Sequence, residues 1–246
     1  MADVVLALMR SFASLRRGRI WLYVLAPALF SLVLWVALAV SGLGLLVEWL
    51  LGHPPMTILI GWGVAWLATV LAYTGAWMAI FAGAYLTTSL LAAIVIMPLM
   101  LKQLAETDYR DVAPMGKDSF TAAAVNSVFA SILFIAGWLL TLPFWIIPGL
   151  SLILPLLLMA WLNRRTFAYD ALSMHATDVE WQTLRGQHKG PMFMLGLTMA
   201  LLAHLPIIGL LVPALAALAF VHYGLETLRR SRGGALLTGE ARRVVE

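Results

Sequence analysis

A chain of 246 residues that is 62% hydrophobic and only 11% charged departs from a soluble domain, where about a quarter of residues carry charge, and reads as an integral membrane protein. Its formal charge of +4 comes from arginines that border apolar runs, a pattern of membrane orientation and not of nucleic-acid binding. The absence of cysteine excludes disulfides, thiolate metal sites and cysteine nucleophiles.

Residues 1–19 form an amphipathic segment, with Val4, Val5, Leu8 and Phe12 at helical spacing and Arg10, Arg16, Arg17 and Arg19 ahead of the first long apolar run. This segment is expected on the cytoplasmic surface. A first crossing follows over about residues 20–47. Glu48, Gly52, His53, Pro54 and Pro55 make a turn without Lys or Arg, as expected of the outer side. Residues 57–101 are uncharged and longer than one bilayer requires, so the first half is expected to cross inward and the rest to continue as a tilted or bent helix. Gly75, Gly83 and nearby alanines would permit close helix approach. The polar stretch 102–119, with Glu106, Asp108, Arg110, Asp111, Lys117 and Asp118, returns the chain to the cytoplasm.

Two copies of one pattern follow, each a short apolar helix, a Pro/Gly corner and a second apolar helix. The corners are Leu142-Pro143-Phe144-Trp145-Ile146-Ile147-Pro148-Gly149 and Leu205-Pro206-Ile207-Ile208-Gly209, each followed at the same offset by a further proline, Pro155 and Pro213. In the second copy the apolar arms 192–205 and 210–221 would each reach about 20 Å at 1.5 Å per residue, short of a hydrocarbon core of about 30 Å. The returning arm of the first, 150–162, has the same reach. His188 and Lys189 on one flank and Arg229, Arg230 and Arg232 on the other agree with both ends lying on one side. These patterns read as re-entrant hairpins, whose opened backbone is tolerated only against protein or a watery cavity. A kinked helix crossing once is the competing reading, and it would place the arginines of 229–232 opposite those of the N-terminus. Between the copies, 166–190 is a cytoplasmic connector with a capping-box pattern at Thr177-Asp178-Val179-Glu180, and 233–246 is a polar tail. The expected fold is one all-α integral membrane domain over residues 1–246, with two transmembrane helices plus two partly penetrating helical hairpins and cytoplasmic termini.

Ile147-Pro148-Gly149, then Tyr169-Asp170, then Leu205-Pro206-Ile207-Ile208-Gly209 with Pro213 and the 216–226 helix, together resemble the CysZ sulfate permeases and the related etoposide-induced membrane proteins. Ala105-Glu106 before a polar loop fits the same pattern. The resemblance is strongest between about residues 98 and 226. It implies a multi-pass protein of the bacterial inner membrane, assembled as a homo-oligomer in the lipid bilayer, that takes up sulfate for cysteine synthesis. One place departs from it: the family's Gly-Leu-Arg-Arg-like element, associated with sulfate binding, precedes an aromatic-Val-x-x-Pro anchor. Here that anchor is Tyr23-Val24-Leu25-Ala26-Pro27, and Trp21 and Leu22 stand where the arginine pair would be.

An oxyanion is held by fixed N–H donors and cationic side chains, so Arg16, Arg17 and Arg19, at a helix start, are candidate anion ligands. Their simpler use is to orient the first crossing and meet anionic lipid heads. Arg164 and Arg165 end the first hairpin, and an arginine paired to Asp170, near Tyr169, would fix the hairpin base or line a channel mouth. Glu106 and Glu226 stand at similar apolar boundaries. Pro148, Gly149, Pro206 and Gly209 form the corners, beside which His204 could relay protons or, more simply, bond an open carbonyl; His222 lies near the hairpin exit. No hydrolase elbow, phosphate loop or zinc-protease helix is present, so neither enzymatic chemistry nor a cofactor or metal is expected. The leading expectation is a permease or channel for sulfate or a similar small oxyanion; the alternative is a non-transporting membrane scaffold of the same fold.

Overall fold

The structure, a computed structural model, describes residues 2–117, 120–147, 149–205 and 208–234. Corner residues Pro148, Pro206 and Ile207 and most of the tail, 235–246, lie outside them. Every regular element among the described residues is helical. In chain order these are α1 (Ala2–Ser14), α2 (Gly18–Leu51), α3 (Met56–Gly61), α4 (Ala65–Leu91), α5 (Met97–Thr107), α6 (Phe120–Thr141), α7 (Leu150–Ser173), α8 (Asp178–Gln187), α9 (Lys189–Leu202) and α10 (Ile208–Ser231). A π-helical turn, Ala92–Ile96, joins α4 to α5, so residues 65–107 run as one continuous helical rod. A 3-10 turn, Leu142–Ile146, closes α6. By length and composition, four stretches among the described residues could cross a membrane: Gly18–Leu51, Ala65–Thr107, Ala123–Trp145 and Ile208–Ser231.

α2 and α4 pack closely because α4 presents small residues to its neighbour. Ala68, Ala72, Ala76 and Ala84 recur at helical spacing and are buried, and a Cβ on Gly83 would lie 2.1 Å from the Trp35 ring. The indole therefore occupies the space that a side chain at position 83 would need, a close approach that a small residue permits, while Gly75 makes only ordinary contact. Ser31 Oγ donates to the Ala84 carbonyl at 2.8 Å, and Trp35 Nε1 donates to Thr87 Oγ1 at 2.9 Å. The rest of α2 is bare: only 11% of its apolar window is buried, against 72% for α10. α2 thus offers its apolar side chains to lipid, whereas the apolar part of α10 is enclosed by protein.

The two corner-bearing repeats interlock through α7 and α9. A Cβ on Gly196 would stand 2.5 Å from the Ala160 carbonyl oxygen, so the backbones touch where the helices cross. Asn163, fully buried, donates to the Gly196 carbonyl at 3.3 Å and accepts from Tyr85 at 3.1 Å, which ties α4 to the crossing. At the corners, Gly149 has φ +88°, and a Cβ on Gly209 would come within 2.3 Å of the Ala203 carbonyl oxygen.

Polar contacts gather the chain at one end of the bundle. Arg17 meets Asp108 at 2.5 Å, Lys117 meets Asp178 at 3.1 Å, Arg232 meets Glu180 at 2.8 Å and Arg230 meets Asp3 at 2.5 Å. Both flanks of each repeat therefore lie at this base. A single kinked crossing over α9 and α10 would have separated Glu180 from Arg232, and the structure brings them together. The capping box at Thr177 is formed, its hydroxyl accepting from the Glu180 N–H and the Glu180 carboxylate accepting from the Thr177 N–H.

Lengths differ from the short arms read in the sequence. α6 has 22 residues and α7 and α10 have 24 each. Helical hydrogen bonding does not stop where hydropathy does, so α7 continues through Asn163, Arg164 and Arg165, and α10 through Glu226, Arg229 and Arg230. Likewise α2 runs on through Glu48 to Leu51.

Candidate functional site

α1 carries its polar side chains toward the base because Val4, Ala7, Ser11 and Ser14 recur on one face and bury it against α9 and α10. That docking brings Arg10, Ser14 and, just past the helix, Arg17 to the segment following α5 and to the last turns of α10. Together they enclose a cavity of about 240 Å³, lined by Arg10, Ser14, Arg17, Asp108, Tyr109, His222 and Arg229.

A chain of hydrogen bonds crosses this cavity. Arg10 donates to the Tyr109 hydroxyl at 3.0 Å and to Glu226 at 2.5 Å. The Tyr109 hydroxyl lies 3.0 Å from His222 Nδ1, and Ser14 Oγ lies 2.9 Å from His222 Nε2. With Arg10 donating to Tyr109, the hydroxyl hydrogen is free for Nδ1, and a neutral imidazole protonated on Nε2 donates to Ser14. Burial pushes the Tyr109 hydroxyl above its ordinary pKa, with the Arg10 guanidinium acting against the rise. Burial opposes the Arg10 charge, but hydrogen bonds with Tyr109 and Glu226 outweigh it and raise its pKa.

Each arginine of the cavity has a carboxylate. Arg10 pairs with Glu226 and Arg17 with Asp108. Arg229 Nε lies 2.6 Å from Asp111 Oδ2, an ion pair off the hydrogen-bond line, since that oxygen has no aligned donor. Glu226 also accepts from Arg230 at 2.9 Å. The site is a pocket in which guanidinium, phenol, imidazole and hydroxyl groups face carboxylates that balance the arginine charges.

Of the candidate residues named from sequence, Arg17, His222 and Glu226 are at this site. Arg16 and Arg19 are exposed and have no carboxylate partner among the described residues. The Glu106 side chain is exposed, its backbone carbonyl accepting from Arg110. No ion pair joins Asp170 to Arg164 or Arg165 among the described residues; Asp170 is 5% exposed with both carboxylate oxygens unpartnered. Burial raises it to a pKa of about 7. Tyr169 stands edge-on to Trp181 at 5.4 Å. His204 is exposed, its Nδ1 2.8 Å from the Ala200 carbonyl one turn earlier. His204 and Gly209 also line a separate apolar cavity of about 660 Å³ with Trp35, Trp77 and Phe81, far from the charged groups in character.

Sequence reasoning did not single out Ser14, Asp108, Tyr109 or Arg229 as site residues. Asp108 and Tyr109 sit in a polar stretch that looked like plain connector. Their signal was the break itself, a tyrosine and two aspartates just past a 43-residue apolar helix.

The sequence matches the family model described as sulfate transporter CysZ/etoposide-induced protein 2.4 over residues 7–213. Comparison with curated proteins and with solved structures gave no match. With most of its length covered by that model, the chain is a member of the family of sulfate transporter CysZ and etoposide-induced protein 2.4.

Proposed function

We propose that the protein is a permease or channel that passes sulfate or a similar small oxyanion across the bacterial inner membrane, and that the polar cavity lies on its route. The observation that carries this reading is the cavity itself. In a helical body otherwise apolar enough for a bilayer, Arg10, Arg17 and Arg229 with Tyr109, His222 and Ser14 surround about 240 Å³, room for several waters at about 30 Å³ each. The three guanidiniums keep 35%, 41% and 34% of their side-chain surface exposed, so an anion arriving from the cytoplasm can reach them at the foot of the bundle.

In this reading α2 and the α4–α5 rod cross the bilayer, and the two hairpins enter from the cytoplasm and turn back. The apolar arms 150–162 and Lys189–Leu202 reach about 20 Å, which supports partial penetration by one arm of each hairpin, while the other arms, Ala123–Trp145 and Ile208–Ser231, have the length to cross. The N-terminus, the base and the C-terminal tail lie in the cytoplasm, in keeping with the arginines gathered there. An entering anion exchanges with Asp108, Asp111 or Glu226 on a guanidinium, so it meets donors already in place and leaves as the carboxylate re-forms its pair. Subunits assemble as a homo-oligomer, and the sulfate feeds cysteine synthesis.

One observation favours a second reading, a non-transporting scaffold of the same fold: every cavity arginine already has a carboxylate partner. Flux of labelled sulfate into liposomes carrying the purified protein separates the two. Flux that falls at least about tenfold in Arg10→Gln or Arg229→Gln, equivalent to about 1.4 kcal/mol, supports transport through the cavity. Correctly inserted protein without flux supports the scaffold.

A further inference from the structure

α1 has a second apolar face. Val5, Met9 and Phe12 follow one another at helical spacing on the side turned away from α10, and they are 55%, 65% and 59% exposed. The buried face, Val4, Ala7, Ser11 and Ser14, already accounts for how the helix docks, so the outer stripe is not needed for packing within the chain. Three residues after α1 the chain enters α2, whose first turns expose Trp21, Leu22 and Leu25. So short a link holds α1 beside the point where the chain enters hydrocarbon, and Trp21 is placed where aromatic side chains favour the bilayer interface.

Charge identifies what covers the stripe. Arg10, Arg17, Arg229, Arg230 and Arg232 all have carboxylate partners within the chain. Arg16 and Arg19, which continue past the stripe toward α2, are exposed and have none among the described residues. An apolar stripe bordered by unpaired arginines at the membrane boundary complements a leaflet with anionic headgroups: side chains enter the acyl boundary and each arginine near the surface adds attraction.

We propose that α1 is a docking element for anionic lipid, with Val5, Met9 and Phe12 inserted into the cytoplasmic leaflet and Arg16 and Arg19 on its phosphate headgroups. This rests on the cytoplasmic placement of the base given above, but not on sulfate passage. Because the opposite face of the same helix carries Arg10 and Ser14 into the cavity, lipid docking also fixes one wall of that cavity.

The absence of native cysteine makes the test direct. Full-length Met9→Cys protein, labelled with a fluorophore, is reconstituted in phosphatidylcholine vesicles with and without phosphatidylglycerol. Quenching by phospholipids spin-labelled near the headgroup is compared with quenching by aqueous iodide. The expected result is lipid quenching that increases with phosphatidylglycerol, with loss of that increment in Arg16→Gln/Arg19→Gln and at high salt. A matching label at Val179→Cys, on exposed α8, reports an aqueous position and confirms folding. Iodide quenching at position 9 equal to that at position 179, or quenching indifferent to phosphatidylglycerol, would each overturn the proposal. None of these readouts uses sulfate flux, so failure of the transport reading leaves this test intact.

Discussion

Ser14 and His222, at opposite ends of the chain, are joined by a hydrogen bond of 2.9 Å between Oγ and Nε2, and this contact closes the N-terminal helix onto α10. The other ring nitrogen faces the Tyr109 hydroxyl, so one imidazole couples three segments far apart in sequence. Removing that hydroxyl leaves Nδ1 buried without a donor. Tyr109→Phe is expected to destabilise the protein by about 1–3 kcal/mol, read as a lowered thermal midpoint in detergent. Because Arg10 keeps Glu226, the variant is expected to remain folded.

Arg232 performs a similar task at the far side of the base. Its guanidinium takes both Glu180 oxygens, at 2.8 and 3.0 Å, and donates to the carbonyls of Ala113 at 2.9 Å and His175 at 2.7 Å. A lysine has the charge but not the planar fork. Arg232→Lys is therefore expected to cost about 1.5–3 kcal/mol, with limited proteolysis opening first in the loops at Ala113 and His175.

Gly196 sets the distance between α7 and α9. A side chain there meets the Ala160 carbonyl, a backbone atom that cannot swing aside. Gly196→Val is expected to destabilise by about 1–3 kcal/mol and to release the Asn163 amide from the Gly196 carbonyl. Loss of slow amide exchange at the crossing checks it.

Two buried groups at the base make stability depend on pH in opposite directions. Asp170, lying beyond the apolar part of α7, is raised by burial from 3.8 to about 7. Between those values the folded chain holds a proton that the unfolded chain has lost, so stability falls as pH rises. Burial, with the Arg232 charge adding to it, lowers His175 from 6.5 to about 4. Between those values the unfolded chain holds the extra proton, so stability rises with pH. The slopes oppose each other, each at most about 1.4 kcal/mol per pH unit, and the native chain is expected to be nearly level over the shared window. Denaturation of Asp170→Asn from about pH 4.5 to 6.5 should show stability climbing with pH, and His175→Asn the reverse.

Composition and apolar run length made the helical membrane fold legible, and the Thr177 capping box and the Gly83 contact followed from local patterns whose physics is local. Helix ends were not legible from hydropathy, because α7 and α10 continue through charged residues that sit on protein and not on lipid. The candidate site was half visible. Arg17 and Glu226 stood out as charges at apolar boundaries, but their partners come from distant segments. Arg10 reaches Glu226 across the whole chain, a pairing that only the docking of α1 creates. Asp170 shows the opposite failure: near two arginines in sequence, it meets neither among the described residues.

The central claim, that both hairpins enter from the cytoplasm and return there, is tested most directly by single-cysteine accessibility in sealed inner-membrane vesicles of known orientation. Cysteines are placed singly at Lys117, Gln182 and Ser231, which flank the hairpins, and at Phe144 and Leu205, near their corners. The account predicts that a membrane-impermeant thiol reagent reaches the first three from the cytoplasmic face alone and reaches the last two from neither face. Labelling of Gln182→Cys and Ser231→Cys from opposite faces, or of Phe144→Cys from the external face, would contradict it.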